Sequence, residues 1–326
     1  MRKNLLVTIL LVGASIFGLH AQQDMLMTHF MYNKMGINPG ATGIEEGICG
    51  TLIYRNQWDK FNGAPNSVVF NAEANLDRYI NSGVGINFYN DAIGFNRQNN
   101  LLINYSYHLN IPNAGVLGMG VGVGFTNLAI SPKWVTPDNN PNDPYLPSNY
   151  SGINLDLDFG LYWKGRQNYY VGLSTTHLSQ SDIKNKGNNL ISFNTRRHYY
   201  IMGGKRFNGL FGRSREFDLD LNAIVRTDLV KVSFDVGARI FWKNLIYGGL
   251  LYRYSDAVAI MAGLRMDGNN VAGLAKMPGY FTIGYSYDIT TNKLASISKG
   301  SHEILLKYCY MIPPPPVHKA KNVRWL

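Results

Sequence analysis

The side chains in this 326-residue chain that could do chemistry are few and scattered. Cys49 and Cys309 stand at opposite ends of the sequence, and neither has a second cysteine or histidine at metal-ligand spacing. The seven histidines include no pair four residues apart. Ser174, His177 and Ser179 are close together, but strand alternation puts Ser174 and His177 on opposite faces, where they cannot share a proton. The Gly120-Val121-Gly122-Val123-Gly124 run resembles a nucleotide-binding glycine loop, yet its period is two and no helical pattern follows. Asp156/Asp158 and Asp218/Asp220 are carboxylate pairs at a spacing that shares one strand face. Such pairs suit acid–base work or calcium. They also suit ordinary ion pairing, and Lys231, Arg239 and Arg265 are the cations expected to meet them. The reading is of a protein without catalytic set, cofactor or metal.

The elements that carry these residues alternate. Residues 152–161 read Gly-Ile-Asn-Leu-Asp-Leu-Asp-Phe-Gly-Leu, and the same rhythm returns at 217–222 and 281–288. Successive side chains of a strand point to opposite faces, so each segment has one apolar and one polar face. Segments of this kind fall at 47–58, 66–77, 82–91, 98–109, 115–128, 151–163, 168–178, 194–206, 215–227, 229–242, 245–255, 256–267, 279–290 and 301–311, with no amphipathic helix to cover them. A soluble sandwich would hide the apolar faces in a core, whereas a membrane barrel turns them to lipid. The composition, with 34 Gly, 21 Tyr, 15 Phe and 16% charged residues, favours the barrel. The expected fold is all-β: a transmembrane antiparallel β-barrel of about 14 strands, with both termini on the periplasmic side. Leu101, Ile103, Tyr105, Tyr107 and Leu109 would face lipid, with Asn104, Ser106 and His108 inside. Trp58, Trp163, Trp242 and Tyr254 would sit in the interfacial girdles.

Residues 1–21 read as a signal peptide: Arg2-Lys3, an apolar run, and Ala21 at the cleavage region. Export plus alternating strands predicts outer-membrane localisation. The formal charge of +10 is dispersed rather than gathered in a stripe, which argues against nucleic acid as partner. Residues 22–46 form a periplasmic or lumen-plugging segment rich in Met and aromatics, 47–311 the barrel, and 312–326 a Pro-rich basic periplasmic tail. On the polar face of residues 116–125 stand Gly118, Gly120, Gly122 and Gly124. A bare wall of this kind either lets the sheet bend or receives the segment before Glu46, with Met31 expected near Gly122. Closing the barrel makes its first and last strands neighbours, so Cys49 and Cys309 are either a seam disulfide or two free thiols.

Several short blocks, in order, resemble one family. Asn38-Pro39, Tyr54-Arg55-Asn56-Gln57-Trp58 with Phe61 and Gly63-Ala64-Pro65, and Asn90-Asp91 with Gly94 are similar to its N-terminal half. Tyr252-Arg253-Tyr254-Ser255-Asp256-Ala257-Val258-Ala259, Gly284-Tyr285-Ser286-Tyr287-Asp288 and Gly300-Ser301-His302-Glu303-Ile304 are similar to its C-terminal half. The family is PorP/SprF. The resemblance implies a non-enzymatic outer-membrane barrel of the Bacteroidetes type IX secretion system, associated with gliding motility in some members. It implies partners in the periplasmic and outer-membrane secretion machinery and in secreted or surface-displayed cargo, with outer-membrane lipid around the barrel. Within that frame Trp58, Phe61 and Pro65 form either a partner-binding rim loop or a structural one. After Pro313–Pro316, Lys319, Lys321, Arg324 and Trp325 form either a docking tail or a solvated one. The alternative function is a passive outer-membrane channel for small or hydrophobic molecules.

Overall fold

In the computed structural model, residues 25–133, 149–180, 182–184, 192–210, 216–268 and 278–312 are described. The first 24 residues and 313–326, and with them the expected signal peptide and the tail residues Lys319, Lys321, Arg324 and Trp325, lie outside the described residues.

Alternation becomes a ladder from the first strand onward. β1 (Ile48–Asn56), β2 (Asn66–Asn75), β3 (Ser82–Ile93), β4 (Asn96–Ile111), β5 (Gly115–Ile130), β6 (Tyr150–Gly165) and β7 (Tyr169–Thr176) pair in sequence, all antiparallel. β8 (Asp182–Lys184) and β9 (Ser192–Asn194) form a separate two-stranded hairpin. The wall resumes with β10 (His198–Asn208), β11 (Phe217–Thr227), β12 (Val232–Trp242), β13 (Ile246–Arg253), β14 (Ala257–Asp267), β15 (Gly279–Thr290) and β16 (Ser301–Tyr310). β10 pairs with β7 and β16 with β1, so fourteen strands close on themselves. Closure leaves no edge strand with unpaired backbone groups, the condition a sheet must meet in hydrocarbon.

The faces divide as the period of two requires. In β4, Leu101, Ile103, Tyr105, Tyr107 and Leu109 are exposed on the outside, while Asn104, Ser106 and His108 are buried in the lumen. Exposed Val232, Val236 and Ile240 repeat the pattern on β12. An aqueous protein rarely displays so continuous an apolar girdle, whereas lipid solvates it.

The rim bearing Ile48 and Tyr310 is termed the near rim, and the opposite end the far rim. Near-rim turns are mostly tight. Lys243 (φ 50°) and Asn244 (φ 54°) both take left-handed conformations between β12 and β13, the geometry that matches strand twist in a hairpin. At the far rim the loop 57–65 is tied to the loop 291–300 beyond the seam. Asp59 N–H donates to Gly300 O (2.8 Å), Lys299 N–H to Asp59 O (3.1 Å), and Trp58 N–H to Ser301 Oγ (3.1 Å).

Residues 25–46 enter the lumen from the near rim as short turns: Phe30–Tyr32, Lys34–Ile37 and Pro39–Ala41. None is long enough to be stable by its own hydrogen bonds, so the wall must hold them. Phe30, Met31, Ala41 and Ile44 pack against Tyr162, Met202, Ile224 and Met261. Met27 packs against Ile53, Val69 and Leu305.

Candidate functional site

The plugged lumen is the site, and its first contact surface is the glycine wall. Gly118 and Gly120 on β5 and Gly160 on β6 face inward, and a Cβ on any of them would overlap Gly40, Pro39 or Asn38. Removing the side chains lets plug backbone lie directly on barrel backbone. Asn38 then fills the role of a clamp. Its Oδ1 accepts from Gly40 N–H (2.9 Å), and its Nδ2 donates to the backbone carbonyls of Leu161 (2.9 Å) and Leu173 (3.2 Å). Ser106 Oγ donates to Gly40 O (3.0 Å) and Ser174 Oγ to Ile37 O (2.8 Å). The segment that reaches the glycines is therefore Asn38-Pro39-Gly40 and not Met31, as the sequence suggested. Gly122 instead faces Asn104 and Asp158 side chains. Met31 is buried in the apolar cluster because a long flexible side chain fills space that backbone cannot.

The far half of the plug ends in a buried ion network. Glu303 of β16 accepts from the backbone N–H groups of Thr28 (2.8 Å) and His29 (2.7 Å), and lies 2.8 Å from His29 Nδ1. Arg55 of β1 donates to Glu303 (2.9 Å), to Asp288 of β15 (2.7 Å) and to Thr28 Oγ1 (3.0 Å). Arg253 of β13 reaches Asp288 (3.1 Å) and Asp235 of β12 (3.2 Å), and Arg226 of β11 also pairs with Asp235. All are buried: Arg55 is 1% exposed, and Arg253, Asp235 and Glu303 are 0% exposed. Three arginines face these three carboxylates, and Asp256 adds a fourth 3.6 Å from Arg253, so the cations of the cluster are fully compensated. That is the condition under which ions survive out of water.

A second clamp stands at the near rim. Lys307 Nζ lies 2.6 Å from Glu45 Oε2, Tyr280 donates its hydroxyl to the same oxygen (3.1 Å), and Lys34 is 4.0 Å from Oε1. Burial alone would raise the Glu45 carboxyl, but Lys307, Lys34 and the two hydrogen bonds outweigh it and hold the group well below the usual carboxylate range. Lys307 is buried (2% exposed) and Glu45 lies in the plug, so this pair fastens plug to wall. His108 adds a bridge, 3.0 Å from Thr42 O and 2.6 Å from Asp77.

Beside these, Cys49 and Cys309 face each other across the seam in a disulfide, with sulfurs 2.07 Å apart. Both are buried. Glu45 with these cysteines is the group with metal-site spacing among the described residues. It does not suit a cation, because the sulfurs are bonded to each other and Lys307 already occupies the carboxylate.

Other sequence expectations are corrected. Ser174 and His177 are both buried rather than on opposite faces. β7 ends at Thr176, and the left-handed φ of His177 (56°) turns its ring inward to Asp156 (2.7 Å). Of the expected carboxylate partners, Arg239 pairs with Asp220, whereas Lys231 stands apart from these carboxylates. Asp156 is held by His177, Thr126 and Asn100, and Asp218 by Arg206. Parity assigns a face, whereas pairing also needs equal height in the barrel, which sequence does not supply. Lys231 is exposed beside the far-rim turn, and Arg265 lies at the near rim with its guanidinium 4.0 Å from the Tyr280 ring centroid. At the rim loop, Pro65 is buried and its carbonyl accepts from Gln57 N–H (2.9 Å); Trp58 is half-buried, and Phe61 is exposed. Sequence reasoning passed over Arg55, Arg253, Asp288 and Glu303 as site residues. The available signal was charge at inward parity near the far ends of strands that closure makes neighbours.

Residues 19–308 match the family described as Type IX secretion system membrane protein PorP/SprF. The chain belongs to the PorP/SprF family. Comparison with curated proteins finds no match. Among solved structures, the Ralstonia pickettii toluene transporter TbuX is similar at 11% identity and TM-score 0.53, covering 86% of this chain and 93% of its own. The CymD monoaromatic hydrocarbon channel is similar at 10% identity and TM-score 0.53, with the same coverage. A Pseudomonas aeruginosa FadL homologue is similar at 10% identity and TM-score 0.50, covering 84% and 92%. At such identities the likeness shows the fold, that of outer-membrane barrels. This PorP/SprF protein is accordingly an outer-membrane component of the type IX secretion system. The blocks that resemble the family include four of the network's charged residues: Arg55, Arg253, Asp288 and Glu303.

Proposed function

We propose that this PorP/SprF protein is a non-enzymatic docking scaffold, closed by its own N-terminal segment, that supports secretion or surface display of cargo. The observation that carries this reading is the plug's fastening at both ends, to Glu303 and Asp288 at one and to Lys307 at the other. A lumen held shut by buried ion pairs is suited to presenting surfaces rather than to free diffusion. With the near rim on the periplasmic side, the tail after Pro313–Pro316 would hang toward the periplasmic machinery. A proline run makes a stiff extended spacer. Lys319, Lys321, Arg324 and Trp325 would then supply the contact. At the other rim, Phe61 on the loop braced by Trp58 and Pro65 is the exposed aromatic available to cargo.

Deleting residues 317–326 is the test. The barrel should still assemble, and the periplasmic partners should no longer co-purify. Retained co-purification rules the docking role out. A second reading, a passive channel for small hydrophobic molecules, is favoured by the likeness of fold to proteins titled toluene transporter and monoaromatic hydrocarbon channel. Planar bilayers separate the two: a persistent open conductance in the intact protein supports the channel, and a closed baseline supports the scaffold.

A further inference from the structure

At the far end of the seam the outward face of the barrel turns polar. Across β2, β1, β16 and β15 the last outward row reads Asn66, Asn56, His302 and Tyr287. The next row toward the middle reads Val68, Tyr54, Ile304 and Tyr285, and the last three are exposed on the lipid face. Three tyrosine hydroxyls here reach into the polar zone. Tyr54 donates to Asn66 Oδ1 (3.4 Å), Tyr285 bonds His302 Nδ1 (2.7 Å), and Tyr287 donates to Lys299 O (2.9 Å). A phenol with its ring in hydrocarbon and its hydroxyl in a polar zone marks the headgroup level.

His302 is held at that level. Its ring centroid is 5.1 Å from that of Tyr287 and 6.2 Å from that of Tyr285. Taking the Tyr285 hydroxyl as donor to Nδ1 places the ring proton on Nε2, which has no hydrogen-bond partner among the described residues. Above the ring, the loops 57–65 and 291–300 are tied by the backbone bonds of Asp59 to Lys299 and Gly300, which bring Lys60 and Lys299 to this corner. Lys60, Lys299 and Lys293 are exposed, and none has an ion pair among the described residues. Asp59 is the one carboxylate on the two loops, against three lysines.

We infer that the far end of the seam binds the phosphorylated headgroup of a membrane lipid. Lys60 and Lys299 meet the phosphate charge, His302 Nε2 donates to a phosphate oxygen, and the exposed row of Tyr54, Ile304 and Tyr285 takes the acyl chains. Two observations select a lipid as the occupant. The cations stand in excess at headgroup level, which suits an anion, and the corner continues directly into a surface that lipid already solvates. The inference assigns neither rim to a side of the membrane, because headgroups border both. It also holds for a scaffold and for a channel, since it uses only the outer wall.

The test titrates the full chain in detergent with dioleoyl phosphatidic acid and follows bound lipid by native mass spectrometry. Dioleoylglycerol, with the same chains and no phosphate, is the control. Phosphatidic acid should bind saturably and the control should not. Affinity should fall about fivefold in Lys60→Gln and again in Lys299→Gln. His302→Phe keeps a ring between the tyrosines but loses the donor, and should cost about tenfold. Lys231→Gln removes an exposed far-rim lysine away from the seam and should change nothing. The lysine variants lie on exposed loops and keep the test valid if His302→Phe assembles poorly. Equal binding of dioleoylglycerol, an equal loss in Lys231→Gln, or unchanged affinity in the double lysine variant overturns the inference. Complete displacement by equimolar inorganic phosphate overturns it in favour of a free-anion site.

Discussion

Glu303 offers the sharpest perturbation of the plug. Glu303→Gln keeps the shape but removes the charge that accepts from two plug N–H groups and from Arg55, each within 2.9 Å. Arg55 keeps Asp288, yet it loses one of its two buried carboxylate partners with almost no access to water. Removing one partner of a buried pair costs about 3–5 kcal/mol. The barrel wall is held by its closed ladder, so the loss should fall on the plug's attachment. At about 1.4 kcal/mol per factor of ten, the detached population should rise roughly 100- to 4,000-fold. The assay is reactivity of a cysteine placed at Asn33, buried in the wild type, toward a membrane-impermeant maleimide, with bilayer conductance alongside. Arg55→Met alone should have a similar effect. The double variant should be milder than the sum, because the pair leaves together. A Glu303→Gln protein that stays heat-modifiable as a folded barrel, with Asn33→Cys as unreactive as before, would refute the reasoning.

Two further outcomes follow from the same contacts. Gly120→Val inserts a side chain where Pro39 and Gly40 backbone already lies, so it should expel the Asn38-Pro39-Gly40 turn and expose the Asn33→Cys label. The outer face of β5 is unaffected, and barrel assembly should persist. Cys49→Ser with Cys309→Ser removes a crosslink closing 260 residues and should lower unfolding stability by about 2–4 kcal/mol, read as a lower urea midpoint in detergent. An unchanged midpoint would mean the seam ladder alone sets stability.

How much of this was legible beforehand depends on which physical constraint each feature obeys. The period of two is local, because Cβ direction alternates whatever the neighbours are. That is why the lipid face of β4 and the fourteen strands could be read before any pairing was known. The inward glycine face of β5 was legible as a vacancy for the same reason, though not as the seat of Asn38-Pro39-Gly40. What fills it depends on where a segment with no regular structure is led by the wall.

The sequence by itself determined that these ribbons are two-faced and that they number enough to close. Tertiary structure alone decided height and partnership. Arg55, Asp288, Glu303 and Arg253 meet because closure and stagger bring the far ends of four strands to one level around Thr28 and His29, across separations that no local pattern spans. For the same reason His177 faces Asp156 while Lys231 stands away at the rim. Periodicity fixes the direction of a side chain, and only the closed sheet fixes its neighbours.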